Sequence, residues 1–305
     1  MAERSDDAEP VRGSPESPSL VTPDLLRSWP LPEPGGTKYA RGQVLVVGGS
    51  CTTPGAVLLA GTAALRMGAG RLSVATAEGV AMPLAVALPV SGTLPLPQDE
   101  QGVITGERVV AVLEHEIERA DAVLVGPGLL GRDATRRLMG EVVRALPDDV
   151  PVVLDAAAVT VLPDLDRETT AALRGRAVLT PNTHELASLL DQDEVSEDDV
   201  AESTLAVSGR LGAVVACGPW VAAEGLWKVS TGDTGLGTSG SGDVLSGALA
   251  GLIGRGATPL QATLWAKHVH AAAGDVLAAR WGRVGYLADE ITRELPLVLR
   301  SLGGD

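Results

Sequence analysis

Short unbroken apolar runs alternate along the chain with longer segments whose apolar positions return every three or four residues. Val44-Leu45-Val46-Val47, Val123-Leu124-Val125, Val152-Val153-Leu154, Val178-Leu179 and Val214-Val215-Ala216 are runs of the first kind. Rich in β-branched residues and lacking polar alternation, they predict strands buried on both faces, as in a parallel sheet. A further strand is expected over 71–76. The buried runs stop at glycine, proline or a polar group: Gly48-Gly49, Gly126-Pro127-Gly128, Asp155, Thr180-Pro181-Asn182 and Cys217-Gly218. Segments of the second kind follow them. Thr53-Pro54-Gly55-Ala56 opens a helix with proline in its first turn that runs to Met67 and stops at Gly68. Helices are also expected over 133–145, from 185 to about 190, over 200–211, and from Thr258 as N-cap through His268 and His270 to about 279. Thr22-Pro23 starts a short one near the N-terminus. Trp220-Val221-Ala222 and Trp227-Lys228-Val229 suggest a hairpin turning at Glu224-Gly225. Residues 77–120 yield only a helix from Glu107 to Arg119.

Strands alternating with helices predict an α/β fold, a three-layer α/β/α sandwich around a mostly parallel central sheet. Residues 1–20, acidic and poor in apolar side chains, are expected to form a disordered tail, and 21–305 a single domain.

Composition narrows the function. The net charge of −15 argues against a sequence-independent grip on nucleic acid. No apolar run is long enough to span a membrane, and 1–20 contain no signal-peptide core, so the expected location is cytoplasmic. Cys51 and Cys217 form neither a CxxC pair nor a disulfide framework, which suits a reducing compartment. Phenylalanine is absent, so alanine, valine and leucine must build the core.

The chemistry gathers on Gly235-Leu236-Gly237-Thr238-Ser239-Gly240-Ser241-Gly242-Asp243, which leads into the apolar segment 244–253. A glycine loop entering a buried helix presents free backbone N–H groups at the positive end of the helix dipole, a setting for phosphate. Asp243 admits two readings there: a helix cap, or a base aimed at a hydroxyl that meets a bound phosphoryl group.

In order along the chain, Val44–Val47 with its glycines, Pro54-Gly55-Ala56, Val125-Gly126-Pro127-Gly128-Leu129, Leu154-Asp155-Ala156, Leu179-Thr180-Pro181 with Glu185, and 237–247 resemble the NAD(P)H-hydrate dehydratases of the ribokinase-like superfamily. The resemblance covers roughly 22–300. It implies an ADP-dependent (S)-NAD(P)H-hydrate dehydratase that phosphorylates the hydroxyl of a hydrated nicotinamide cofactor and eliminates phosphate to regenerate NADH or NADPH. It implies Mg2+, ADP or ATP as phosphoryl donor, the hydrates NADHX and NADPHX as substrates, an NAD(P)H-hydrate epimerase as functional partner, and a homo-oligomer. Asp243 would be the catalytic base and would also contact the hydrated nicotinamide. Ala56, Gly128, Asn182 and His184 would meet the same substrate. Cys217, Gly218, Thr238, Ser239, Gly240, Ser241 and Gly242 would meet the nucleotide, with amides of the last three facing the transferring phosphoryl group.

The chain departs from that pattern in two places. Asn182 stands where a histidine is usual. Asn182 with Glu185 is also the spacing by which many sugar and vitamin kinases organise magnesium, so Glu185 becomes a candidate metal site through water and a small-molecule kinase becomes the alternative function. A reciprocal helix cap is the other reading of the same pair. The second departure is Cys217, where a lysine before the glycine is frequent. With Pro219 also lacking an N–H, it raises the further alternative of a non-catalytic nucleotide-binding protein.

Overall fold

The computed structural model describes residues 11–232 and 234–304. The first part of the chain forms β1 (Ser19–Val21), α1 (Pro23–Ser28), β2 (Gln43–Val47), α2 (Pro54–Arg66), β3 (Arg71–Ala77), α3 (Glu78–Ala87) and β4 (Gly92–Leu96). Next come α4 (Val109–Ile117), β5 (Ala122–Val125), α5 (Arg132–Ala145), β6 (Val152–Leu154), α6 (Ala157–Thr160) and α7 (Arg167–Ala172). The chain continues through β7 (Ala177–Leu179), α8 (Thr183–Leu189), α9 (Val200–Leu211), β8 (Val214–Cys217), β9 (Trp220–Ala222) and β10 (Leu226–Val229). It closes with α10 (Ser241–Gly254), α11 (Pro259–Trp281) and α12 (Ala288–Ser301).

The ten strands of the described residues join one sheet in the order β1-β10-β9-β8-β7-β6-β5-β2-β3-β4. Among the described residues only the pairs β8–β9 and β9–β10 are antiparallel, and β9–β10 is the expected hairpin. The apolar strands feed two cores because successive side chains leave opposite faces. Val44 and Val46 pack under α2, α10, α11 and α12, whereas Leu45 and Val47 pack under α4, α5 and α8. This is the three-layer α/β/α sandwich. The largest fully buried side chains include Trp227, Trp265, Met67 and Met139, which supply the bulk that phenylalanine would otherwise provide.

Order begins before residue 20, contrary to the expected tail boundary. Ser19–Val21 adds a parallel strand to Trp227–Val229, and the Leu226 N–H donates to the Gly13 carbonyl at 3.0 Å. The edge of β10 offers unpaired backbone groups, and even a polar segment satisfies them. The part of the tail over 1–10 lies outside the described residues. The sequence reading also missed α3, β4 and α12. Each carries an internal proline, Pro83, Pro95 or Pro296, which reads as a breaker. Pro95 is tolerated because β4 is the sheet edge, where a missing N–H need not be paired.

Two helices of one outer layer, α2 and α10, pack with almost no space between them. A β-carbon at Gly247 would lie 2.1 Å from the Ala60 carbonyl oxygen, and one at Gly251 would lie 2.4 Å from that of Ala64. Glycine at these positions brings the two helices together and so fixes where α10 begins. No described helix is long and apolar enough to cross a membrane.

Candidate active site

The parallel strands β2, β5, β6, β7 and β8 end on one side of the sheet, and α10 starts among their ends. Gly240 precedes it with φ 89°, a left-handed conformation that glycine adopts without strain. The Ser241 N–H is engaged with the Thr238 carbonyl at 3.2 Å. The amides of Gly242 and Asp243, in the first turn, have no intrahelical acceptor and so carry the positive end of the helix. Of the expected phosphate-facing amides of Gly240, Ser241 and Gly242, that of Ser241 is already engaged within the loop. Beside this turn is a cavity of about 450 Å3, bordered by Asn182, Gly218, Ser241, Gly242, Lys267 and His270.

Carboxylates gather at the same turn. Asp155 is buried at the end of β6 and accepts a hydrogen bond from Thr180 Oγ1 at 2.8 Å; burial pushes its carboxyl above the ordinary range. Asp243 is half-buried, and burial, with the charge of Asp155 added, raises its carboxyl to about 7. Glu185 is raised by burial too, again with Asp155 contributing. Three acids with perturbed affinity for protons near the head of an anion-attracting helix form a setting for acid–base work at neutral pH.

Ala156, next to Asp155, has φ 48° and ψ −121°. An alanine held there carries strain of roughly 1–3 kcal/mol, more than the roughly 0.5–1 kcal/mol that glycine loses in added chain freedom. Ala156→Gly is therefore expected to raise stability by about 1 kcal/mol, measured by denaturant unfolding. A loss of stability would show that the conformation is not strained.

The predicted residues fall into distinct places. Asn182, Gly218, Ser241 and Gly242 border the cavity. Ala56 and Gly128 meet each other at the neighbouring end of α2, where a β-carbon on Gly128 would lie 3.0 Å from Ala56 Cβ. That patch adjoins the head of α10, since a β-carbon at Gly240 would come within 2.5 Å of Leu59 Cδ1. Thr238 and Ser239 belong to the loop before α10 without bordering the cavity, and His184 is exposed. Cys217 differs most from expectation. Its side chain is fully buried in the core beneath α8 and α9, its thiol is pushed up to about 11 by burial, and it does not border the cavity. Asn182 and Glu185 form a reciprocal cap: Asn182 Oδ1 accepts the Glu185 N–H, and Glu185 Oε2 accepts the Asn182 N–H, each at 2.9 Å.

Two residues that sequence reasoning left aside also line the cavity. His270 Nε2 lies 3.1 Å from Ser241 Oγ, and burial, then the neighbouring Lys267, lowers its pKa to about 3, so it is neutral. Lys267 Nζ donates to the Gly218 carbonyl at 2.6 Å. The available signal was position: Lys267 and His270 are three apart on one helix and so share a face.

Residues 44–297 match the family model described as NAD(P)H-hydrate dehydratase. The chain belongs to the NAD(P)H-hydrate dehydratase family. Members of this family are hydro-lyases, and a similar protein, the ADP-dependent (S)-NAD(P)H-hydrate dehydratase of Xanthomonas campestris pv. campestris, is 43% identical over 92% of this chain and 96% of its own length. The bifunctional NAD(P)H-hydrate repair enzyme Nnr of Moorella thermoacetica is 36% identical over 93% of the chain, which spans only 54% of that larger protein. Among solved structures, the Bacillus subtilis ADP/ATP-dependent NAD(P)H-hydrate dehydratase co-crystallised with ATP/Mg2+ superposes with a TM-score of 0.76 at 26% identity, covering 93% of this chain and 98% of that one. A ribokinase-like superfamily protein from Enterococcus faecalis gives 0.78 at 22% identity over 93% and 96% of the two chains, a likeness of fold alone. The dehydratase fold is therefore ribokinase-like.

Proposed function

We propose that the chain is an ADP-dependent (S)-NAD(P)H-hydrate dehydratase, acting on NADHX and NADPHX in the cytoplasm. The observation that carries this reading is Asp243, a half-buried carboxylate raised to about 7, set in the first turn of a helix whose free amides attract phosphate. Its carboxylate takes the proton of the hydrate hydroxyl as that oxygen forms its bond to the β-phosphorus of ADP. The bond from that phosphorus to the bridging oxygen breaks, and AMP leaves. The amides of Gly242 and Asp243 meet the charge that develops on the phosphoryl oxygens. The phosphate ester then leaves as inorganic phosphate while the adjacent ring carbon loses a proton, which restores the dihydronicotinamide double bond. Ala56 and Gly128, small and side by side next to this turn, would let the hydrated ring approach the backbone. Asn182 would border the bound molecules at the rim of the cavity.

Magnesium belongs to this reading. No cluster of three or more metal-ligating side chains occurs among the described residues. That suits Mg2+ bound mainly by phosphate oxygens and water, since it dehydrates reluctantly and needs only one or two carboxylates. Glu185 and Asp155 would face its waters, and the ion, when bound, neutralises phosphate charge. The spacing of Asn182 and Glu185, which points toward a sugar or vitamin kinase, is accounted for by the helix cap they form. An NAD(P)H-hydrate epimerase would supply the (S) form, and a homo-oligomer would use apolar side chains left exposed on α3, such as Met82 and Val86.

The proton affinity of Asp243 sets a pH dependence. A base must be deprotonated to act, and a raised pKa means that it is protonated below about 7. The account therefore predicts that kcat/KM falls by about tenfold per pH unit on the acid side of that value. Asp155→Asn removes a negative neighbour and should move this limb to lower pH, though not to the ordinary carboxylate range, because burial is the larger cause. A profile flat from pH 5 to 8 would remove Asp243 from the role of base.

A further inference from the structure

The cavity at the head of α10 must accept a strongly anionic molecule in a protein of net charge −15. Lys267, on α11, is the one lysine or arginine bordering that cavity among the described residues. It shares the lining of that cavity with Gly242 and stands one helical turn before His270, which is neutral. We infer that Lys267 is the nucleotide's phosphate ligand in this enzyme, delivering from the long helix α11 the cationic charge that the end of β8 does not carry. This rests on the cavity being the nucleotide site.

The Lys267 ammonium is partly withdrawn from water and gives one hydrogen bond, to the Gly218 carbonyl at 2.6 Å. It forms no salt bridge with any described residue. The neighbouring Cys217 thiol, raised to about 11, is neutral at pH 7 and gives the ammonium no counter-ion. Burial lowers the lysine to about 8, which leaves it charged at neutral pH but at a cost. A desolvated cation with two open N–H donors recovers that cost when an anion enters beside it. The bond to Gly218 fixes the direction of the side chain in advance, so little freedom is lost on binding. Lys267 thus has both the charge and the preorganisation that phosphate binding requires, and it borders the same cavity as Gly242, which lets lysine and amide meet one phosphate chain.

The test is isothermal titration calorimetry of ADP, AMP and adenosine with magnesium present, on the full chain and on Lys267→Gln and Lys267→Arg. The glutamine keeps a donor for the Gly218 carbonyl and removes only the charge. A charge-assisted hydrogen bond corresponds to a factor of roughly 10–100 in affinity. Lys267→Gln is therefore expected to weaken ADP by that factor, weaken AMP less and leave adenosine unchanged, while Lys267→Arg retains most of the ADP affinity. ADP bound to Lys267→Gln within about twofold of the parent would overturn the inference. So would equal weakening of ADP and adenosine, the mark of a lysine that only holds the Gly218 loop. If the parent itself binds no ADP at all, the cavity is not the nucleotide site and the functional reading falls with it.

Discussion

Asp243→Asn is expected to lower kcat by roughly a thousandfold, the scale that a positioned general base contributes. Asparagine has nearly the same shape and accepts hydrogen bonds, but it cannot take a proton from the hydrate hydroxyl. The variant should remain folded. Asp243 repels Asp155 and is raised by burial, so neutralising it relieves two unfavourable terms, and thermal unfolding should occur at the parent temperature or above. ADP binding should be retained or strengthened, because the carboxylate competes with phosphate for the first turn of α10. Steady-state kinetics, calorimetry and a thermal melt together check this. A variant with near-parental kcat would remove Asp243 from the role of base.

The largest stability effect is expected at Gly247. Even the methyl group of Gly247→Ala would sit 2.1 Å from the Ala60 carbonyl oxygen, a distance no side chain tolerates, and the neighbour is backbone. Either α2 or α10 must move, and overpacking of this kind costs about 3 kcal/mol. The displacement also shifts the head of α10, so activity should fall along with stability. Gly209→Ala supplies the contrast. Gly209 lies inside α9 with nothing near an added β-carbon, and alanine there should stabilise the protein by about 0.5–1 kcal/mol. Denaturant unfolding of the two variants compares them directly; a neutral Gly247→Ala would mean that the α2–α10 contact is soft.

Much of this architecture was legible because the chain states it locally. Val44–Val47, Val152–Leu154 and Val214–Cys217 are buried on both faces and therefore apolar without alternation, and each became a strand of the parallel sheet. Thr22 and Thr258 cap their helices through their side chains, and Asn182 does so with Glu185, as their spacing suggested. What stayed hidden depends on the sheet or on contacts distant in sequence. Ser19–Val21 has no strand pattern of its own and is ordered by the open edge of β10. β4 owes its existence to β3, despite Pro95. The site divides in the same way. Asp243 and its glycines are contiguous, so their chemistry could be read from spacing, whereas the proton affinity of Asp243 depends on burial and on Asp155, nearly ninety positions earlier (243 − 155 = 88). Lys267 meets Gly218 only after a strand and a helix are folded together. The fate of Cys217 likewise followed from the direction of one strand residue, which places its side chain in the core beneath α8 and α9.

The central claim is that this site turns a hydrated nicotinamide cofactor back into its active form at the expense of ADP. The most direct measurement follows the near-ultraviolet absorbance of the dihydronicotinamide while the purified protein is mixed with NADH hydrate, magnesium and ADP, with phosphate release recorded in parallel. The account predicts that absorbance rises only when nucleotide is present, with one phosphate and one AMP formed for each NADH regenerated. Phosphate retained on the product without any rise in absorbance, or a flat trace from protein that binds ADP, would contradict it.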